Sequence, residues 1–162
     1  MVAQLKFEDL LPYFEIDGGA TATYRELQET QPGGKDDWTA LPNIEPQIST
    51  DQPFKFIIRW KQKGPLATLI NPAAYWRIEI LLEKMGVDEF ELNTSDRVHE
   101  VAYRPIDGHT YTETIQIDRR KVTPGVYRPV VMVNLCMPKG SPDRWAPVAG
   151  FAEFKPIQFY ED

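Results

Sequence analysis

The residue types that most often do chemistry are sparse in this chain. It has two histidines, His99 and His109, and the Asp107-Gly108 dipeptide between them predicts a two-residue β-hairpin. In that hairpin Gln116 would face His99, so the two rings would lie roughly 23 Å apart along the ladder. We therefore expect no metal ion to be shared by the two histidines.

The remaining nucleophiles lack the surroundings that would activate them. Cys136 is the single cysteine, so no disulfide can form within the chain, and it lies near the end of the longest predicted strand, where no helix would hold a histidine or lysine beside it. Gly140-Ser141-Pro142 lacks the second glycine of a nucleophile elbow, and Gly33-Gly34-Lys35 lacks the hydroxyl residue of a phosphate-binding loop. The sequence predicts no catalytic residue, no metal site and no cofactor. A pair of carboxylates assembled by the fold stays open.

The charge of the chain is unevenly distributed. The net charge is −6 over 162 residues. Residues 1–52 contain ten acids and three bases, a net −7, whereas residues 53–162 contain fourteen acids and fifteen bases, a net +1. An acidic protein has no general attraction to nucleic acid or to an anionic membrane, so we expect neither as a partner.

The cellular location is predicted from the absence of targeting signals. The first residues lack the basic start and the apolar run of a signal peptide. No apolar stretch approaches the ~20 residues that a membrane-spanning helix needs. We expect a cytoplasmic protein.

Alternating apolar and polar residues predict strands from residue 53 onward. Phe54, Phe56, Ile58 and Trp60 alternate with Lys55, Ile57, Arg59 and Lys61, and the same period recurs over residues 75–82. A helix over residues 75–85 is the alternative for the second segment. Further strands are predicted near the following ranges: 44–49, 88–92, 98–104, 110–117, 126–136 and 148–159. Seven or eight short strands separated by turns favour an all-β sandwich.

Residues 1–42 differ from the rest and predict an acidic arm that packs on a domain formed by residues 43–162. Phe7, Leu10, Leu11 and Phe14 share one helical face, but Pro12 limits any helix to one or two turns. A second short helical turn is predicted where Thr23 and Glu26 have the spacing of a capping box.

Residues 43–160 resemble an immunoglobulin-like domain. The segment Thr123-Pro-Gly-Val-Tyr127 places a tyrosine after a tight turn and before a long apolar strand, and Trp76 lies on an earlier strand. The resemblance implies an immunoglobulin-like antiparallel β-sandwich in which the hydroxyl of Tyr127 bonds back to the turn. The chain lacks the two cysteines of that pattern. Pro129 stands where the second would fall, so we expect it at a bulge or before strand pairing begins.

The outward side of two predicted strands is more apolar than a solvated sheet face. If Tyr127, Val131 and Val133 point inward, the residues between them point outward. The predicted binding residues on this face are Tyr75, Arg77, Glu79, Arg128 and Met132. We expect the N-terminal arm to cover the face through residues such as Phe7 and Trp38; a second copy of the chain or a foreign protein is the alternative.

These observations predict a non-enzymatic cytoplasmic module for protein binding or assembly, acting through the outer sheet face or an unpaired edge strand. The partner would be another protein or a second copy of the chain. The alternative is a carbohydrate-binding β-sandwich, in which Trp145 in a predicted loop offers a stacking platform for a sugar.

Overall fold

The computed structural model describes residues 1–9, 11–25, 38–141 and 145–162, and these are almost entirely strands and turns. A 3₁₀ turn spans Pro65–Thr68, and one four-residue helix, α1, spans Thr94–Arg97. The strands are β1 Val2–Asp9, β2 Glu15–Arg25, β3 Trp38–Ala40, β4 Gln47–Ser49, β5 Phe54–Lys63, β6 Tyr75–Lys84, β7 Val98–Ala102, β8 Thr110–Ile117, β9 Gly125–Cys136, β10 Trp145–Glu153 and β11 Ile157–Tyr160. The all-β prediction is confirmed.

The alternating pattern of the sequence matches the burial of the strands that it predicted. Along β5 every second side chain from Phe54 to Gln62 is buried, and the side chains between them are exposed or half-buried. Along β6 the buried residues run from Trp76 to Leu82 with the same period. The helix alternative for residues 75–85 is therefore wrong.

The strands form two groups of paired neighbours, here called the first and second layers. In the first layer β5 lies between β8 and β2, and β2 also pairs with β3. In the second layer β6 lies between β7 and β9, and the far side of β9 pairs with β11 and then with β10. β4 adds to β11 in parallel orientation. The sheet is thus mixed and has eleven strands over the described residues, not the seven or eight antiparallel strands predicted.

Strand β1 belongs to both layers. Its first half, Val2 to Leu5, pairs with β2 in the first layer, and its second half, Lys6 to Asp9, pairs with β10 in the second. Gly150 on β10 permits this arrangement. A Cβ atom there would lie 2.6 Å from the ring of Phe7, which fills the space above the glycine.

The two layers face each other across an aromatic core. Trp60 of β5 meets Trp76 of β6 with ring centroids 5.7 Å apart, and Phe54 of β5 meets Phe159 of β11 at 5.2 Å. Trp60, Trp76 and Tyr127 are fully buried and belong to one hydrophobic cluster. The first of these contacts is edge-to-face and the second is tilted, and such ring pairs add specific geometry to the burial of large apolar surfaces.

Tyr127 makes the backward hydrogen bond expected of it. Its hydroxyl donates to the carbonyl oxygen of Thr123 at 2.9 Å and lies 2.7 Å from the hydroxyl of the same residue. Tyr127 therefore fixes the turn that precedes β9.

Pro129 lies inside the paired region of β9, opposite Leu82 of β6. Its carbonyl accepts a hydrogen bond from the amide of Phe154, so its missing N–H would also have pointed toward β10 and β11 and away from β6. On that side, pairing with β10 begins only at Val130. On the same side β11 already pairs with residues 125–127, so Pro129 lies between two paired stretches there. The expectation of a proline before the start of pairing is therefore wrong on both edges of β9.

The helical turns predicted in the N-terminal arm are wrong where the structure describes them. Phe7 and Thr23 lie in strands β1 and β2, and Phe14 is buried in the core between them. Leu10 and Glu26 lie outside the described residues. The division of the chain at residue 43 stays a prediction, but β2 pairs with β5 over ten residues, so this part of the arm is built into the first layer.

Two further predictions of local structure are wrong. Residues 88–92 form no strand, and Asp107-Gly108 does not close a hairpin, because β7 and β8 belong to different layers. The connection between them is held by the buried Gln62, whose amide donates to the carbonyls of Arg104 and Ile106 at 2.6 and 2.9 Å. Its carbonyl oxygen accepts from the hydroxyl of Tyr111 at 3.0 Å.

Candidate functional site

The predicted binding residues share the outward side of the second layer, called the outer face. Tyr75, Arg77 and Glu79 alternate along β6 with buried residues, and Arg128 and Met132 do so along β9. Cross-strand pairing places Glu79 directly opposite Met132. Apart from the exposed Arg128, these side chains are half-buried.

An apolar stripe crosses the middle of the outer face. It consists of Leu81, Val130, Met132 and Phe151, drawn from β6, β9 and β10. Leu81 lies opposite Val130, and Met132 lies opposite Phe151. Phe151 keeps 42% of its surface exposed, which is a large fraction for a phenylalanine within a sheet.

Ion pairs border the stripe on the side nearest the start of β6, here called the upper side; the side nearest the end of β6 is called the lower side. Arg77 donates to Glu79 at 2.7 Å, and Arg97 lies 3.9 Å from the other oxygen of the same carboxylate. Arg97 also pairs with Glu91. Glu79 is thus held between two guanidinium groups at the edge of the apolar stripe.

A second set of ion pairs borders the stripe on its lower side and is centred on Arg128. Its Nε and Nη2 atoms donate to one oxygen of Glu83 at 3.0 and 2.5 Å, and its Nη1 atom lies 3.0 Å from Glu153. The three side chains come from β6, β9 and β10, so this cluster ties the outward sides of three neighbouring strands together.

The lower end of the outer face opens into a cleft of about 680 Å³. Arg128 and Phe151 line the cleft together with side chains from β1, the end of β6 and the β10–β11 connection. The remaining lining residues are Gln4, Lys6, Glu83, Lys84, Met85, Glu153, Phe154, Lys155 and Pro156. The structure therefore joins a half-exposed apolar stripe to a concave, charged end.

Cys136, the last residue of β9, lies at the upper end of the outer face. Its thiol is buried beside Tyr75, and burial raises its pKa above the ordinary value. Lys139 lies 5.6 Å from the centre of the Tyr75 ring and pairs with Glu100 at 2.9 Å. A buried thiol with a raised pKa is a poor nucleophile at neutral pH.

Other residues that the sequence brought forward do not converge on this face. The ring of His99 lies 3.0 Å from the carbonyl oxygen of Asp96, and His109 packs edge-on against Tyr111. Across the described ranges, no group of three His, Cys, Asp or Glu side chains is placed to hold a metal ion. Trp145 begins β10 instead of lying in a loop, and its side chain is outside the described part of the chain.

The N-terminal arm does not cover the outer face where it is described. Phe7 points into the core and touches Trp76. Trp38 lies on the outward side of the first layer, where the amine of Lys55 stands 4.0 Å from the centre of its ring. The prediction that these two residues cover the outer face is wrong, and the cause is the strand character of β1 and β3.

Comparison with known proteins gives no further assignment. No protein-family model matches the chain, and no curated protein matches it in sequence. In the part of the chain that the structure describes, no helix has both the length and the apolar character needed to cross a bilayer.

Proposed function

We propose that this protein is a non-enzymatic module for protein binding or assembly, and that a protein partner docks on the outer face. The observation that carries the proposal is the apolar stripe with ion pairs along both of its borders. Protein interfaces commonly have an apolar centre that becomes fully buried and a polar rim that stays wet. The outer face of the isolated chain already has an apolar centre and a charged border.

The charges of the border support the same interpretation. Arg77, Glu79 and Arg128 already have partners within the chain, so a docking protein need not supply a counter-charge for them. Leaving a buried charge unpaired at an interface would be costly. The energy of docking would come mainly from Met132 and Phe151, with the ion pairs fixing the edges of the contact.

We further propose that the two layers form an immunoglobulin-like sandwich. Three features support this: Trp76 on a central strand, the bond from Tyr127 to Thr123, and the packing of β5 against β6 across the core. The parallel β4 and the shared strand β1 would be additions to that plan. A cytoplasmic location belongs to the same proposal.

The test places a charge in the apolar stripe. Met132→Glu and Phe151→Glu are expected to abolish partner binding, because a carboxylate would be buried without a partner at the centre of the contact. Ile57→Glu, at a half-buried outward position of β5 in the first layer, is the matched control. Circular dichroism and a melting curve confirm that each variant is folded.

Binding is measured by quantitative affinity purification from the source cells, together with light scattering of the pure protein. We expect proteins that are retained by wild type and Ile57→Glu and lost from both stripe variants. A dimer that dissociates in the stripe variants would make the partner a second copy of the chain. Identical proteins bound by all four forms, or no binding together with a monomer at high concentration, would refute the proposal.

A further inference from the structure

The cleft at the lower end of the outer face is cationic, although the whole chain carries a net charge of −6. Four of its lining residues are basic and two are acidic. Arg128 is engaged by both acids, and Lys84 lies 3.6 Å from Asp88. Lys6 and Lys155 are exposed and have no ion-pair partner among the described residues.

Lys6 and Lys155 are placed beside the apolar stripe. Lys6 of β1 lies directly opposite Phe151 of β10, which in turn lies opposite Met132 of β9. Lys155 follows β10 in the connection to β11 and lines the same cleft as Phe151. The row from Met132 through Phe151 to Lys6 therefore passes from apolar surface to the positive charge of Lys6 within three neighbouring strands.

We infer that the outer face recognises an acidic segment of a partner protein, one that carries carboxylates next to a large apolar side chain. The apolar side chain lies on Phe151 and Met132, and the carboxylates pair with Lys6 and Lys155. This inference rests on the proposed function, since it specifies the chemistry of the partner that docks on the same face.

The charges of the cleft favour a protein segment over a nucleic acid. Glu83 and Glu153 lie among the cations, so a backbone with a negative charge at every unit would meet them and be repelled. A peptide with isolated acidic residues can place its carboxylates at the lysines alone. Complementary charge of this kind acts mostly on partner selection and on the rate of association.

The probe is a displayed library of random linear peptides selected on the immobilised wild-type protein. Selected peptides are synthesised and titrated against wild type, Lys6→Glu/Lys155→Glu, and the control Arg59→Glu/Lys61→Glu on the outward side of β5. Both double variants change the net charge by the same amount. We expect peptides that combine Asp or Glu with an aromatic or aliphatic residue, and a Kd that rises at least about 10-fold in the cleft variant but less than about twofold in the control.

The outcomes separate this inference from the proposed function. Peptides that lose affinity for Phe151→Glu but bind Lys6→Glu/Lys155→Glu unchanged would keep the docking face and overturn the acidic partner. Selection of peptides without acidic residues, equal losses in both double variants, or no selected peptide at all would also overturn it. Selection of acidic peptides that ignore both Phe151→Glu and the cleft variant would count against the site and the inference together.

Discussion

Single hydrogen bonds decide how the turns of this protein are held. Tyr127 reaches back four residues to Thr123. Gln62 donates to two carbonyls of the connection between β7 and β8 and accepts from the hydroxyl of Tyr111 on β8. The first contact follows from a local spacing of residues and was predicted. The second joins residues more than 40 positions apart, and a glutamine at the end of an alternating strand gives no sign of it.

The Tyr127→Phe variant tests the first of these contacts. It keeps the buried ring and removes the hydroxyl, so the carbonyl of Thr123 loses a donor and the free energy of unfolding is expected to fall by about 1–2 kcal/mol. Urea denaturation measures the loss. Tyr160→Phe, on the exposed side of β11, is the control and should change the free energy by less than ~0.5 kcal/mol. Equal effects of the two variants would argue that the Tyr127 bond contributes nothing.

At the scale of elements, the positions of β5, β6, β8 and β9 could be predicted because apolar residues recur at nearly every second position of these strands, and most of those residues are buried. β1 and β2 could not. β2 contains Gly18, Gly19 and several small residues, and glycine weakens a strand pattern. The small size is required by packing: a Cβ atom at Gly18 would lie 2.4 Å from the carbonyl oxygen of Arg59.

Gly64, after the end of β5, offers a test of how tightly the connections pack. Its φ of 109° is one that residues with a side chain rarely adopt, and a Cβ atom would lie 2.1 Å from the carbonyl oxygen of Tyr13. Gly64→Ala is therefore expected to cost at least about 2 kcal/mol of unfolding free energy. Gly140→Ala, at a φ of 91° with no atom within 4 Å, is the control and should cost only about 1 kcal/mol. Similar losses in thermal or urea denaturation would refute the predicted clash.

At the scale of the whole molecule, the sequence predicted the buried aromatic residues but not which strands pair with one another within each layer. Trp60, Trp76 and Tyr127 share one core because each lies at a buried position of a strand whose buried residues recur at every second position. The pairing of β1 with β10 depends on contacts over more than 130 residues, which local patterns do not encode. The outward positions of Arg128 and Met132 were predicted by alternation alone. Lys6 and Lys155 were missed, since Lys6 lay in the presumed arm and Lys155 lay inside the single strand predicted over residues 148–159. The structure divides that range into β10 and β11, and Lys155 lies in the connection between them.

The buried tyrosines give the molecule a predicted response to alkaline pH. Burial raises the pKa of Tyr103 and of Tyr111, so both stay protonated in the folded state at a pH where unfolded tyrosines, with a pKa of about 10, ionise. The unfolded state then binds fewer protons, and stability falls as the pH rises through about 10. The slope is expected to reach at most about 1.4 kcal/mol per pH unit for each tyrosine.

Urea denaturation between pH 7 and pH 11 measures this slope, and the Tyr103→Phe variant identifies its source. The variant loses the hydrogen bond from Tyr103 to Ala67 at every pH, but its stability should fall less steeply above pH 10. Parallel curves for the variant and the wild type would show that Tyr103 does not contribute to the alkaline loss.

Strand β1 pairs with a strand of each layer, and this has a consequence for aggregation. While β1 is in place, it shields a flank of β2 and a flank of β10 from other chains. Detachment of this one strand would bare both flanks together, and bare strand flanks recruit further strands. Protection of these two flanks is therefore concentrated in eight residues, Val2–Asp9.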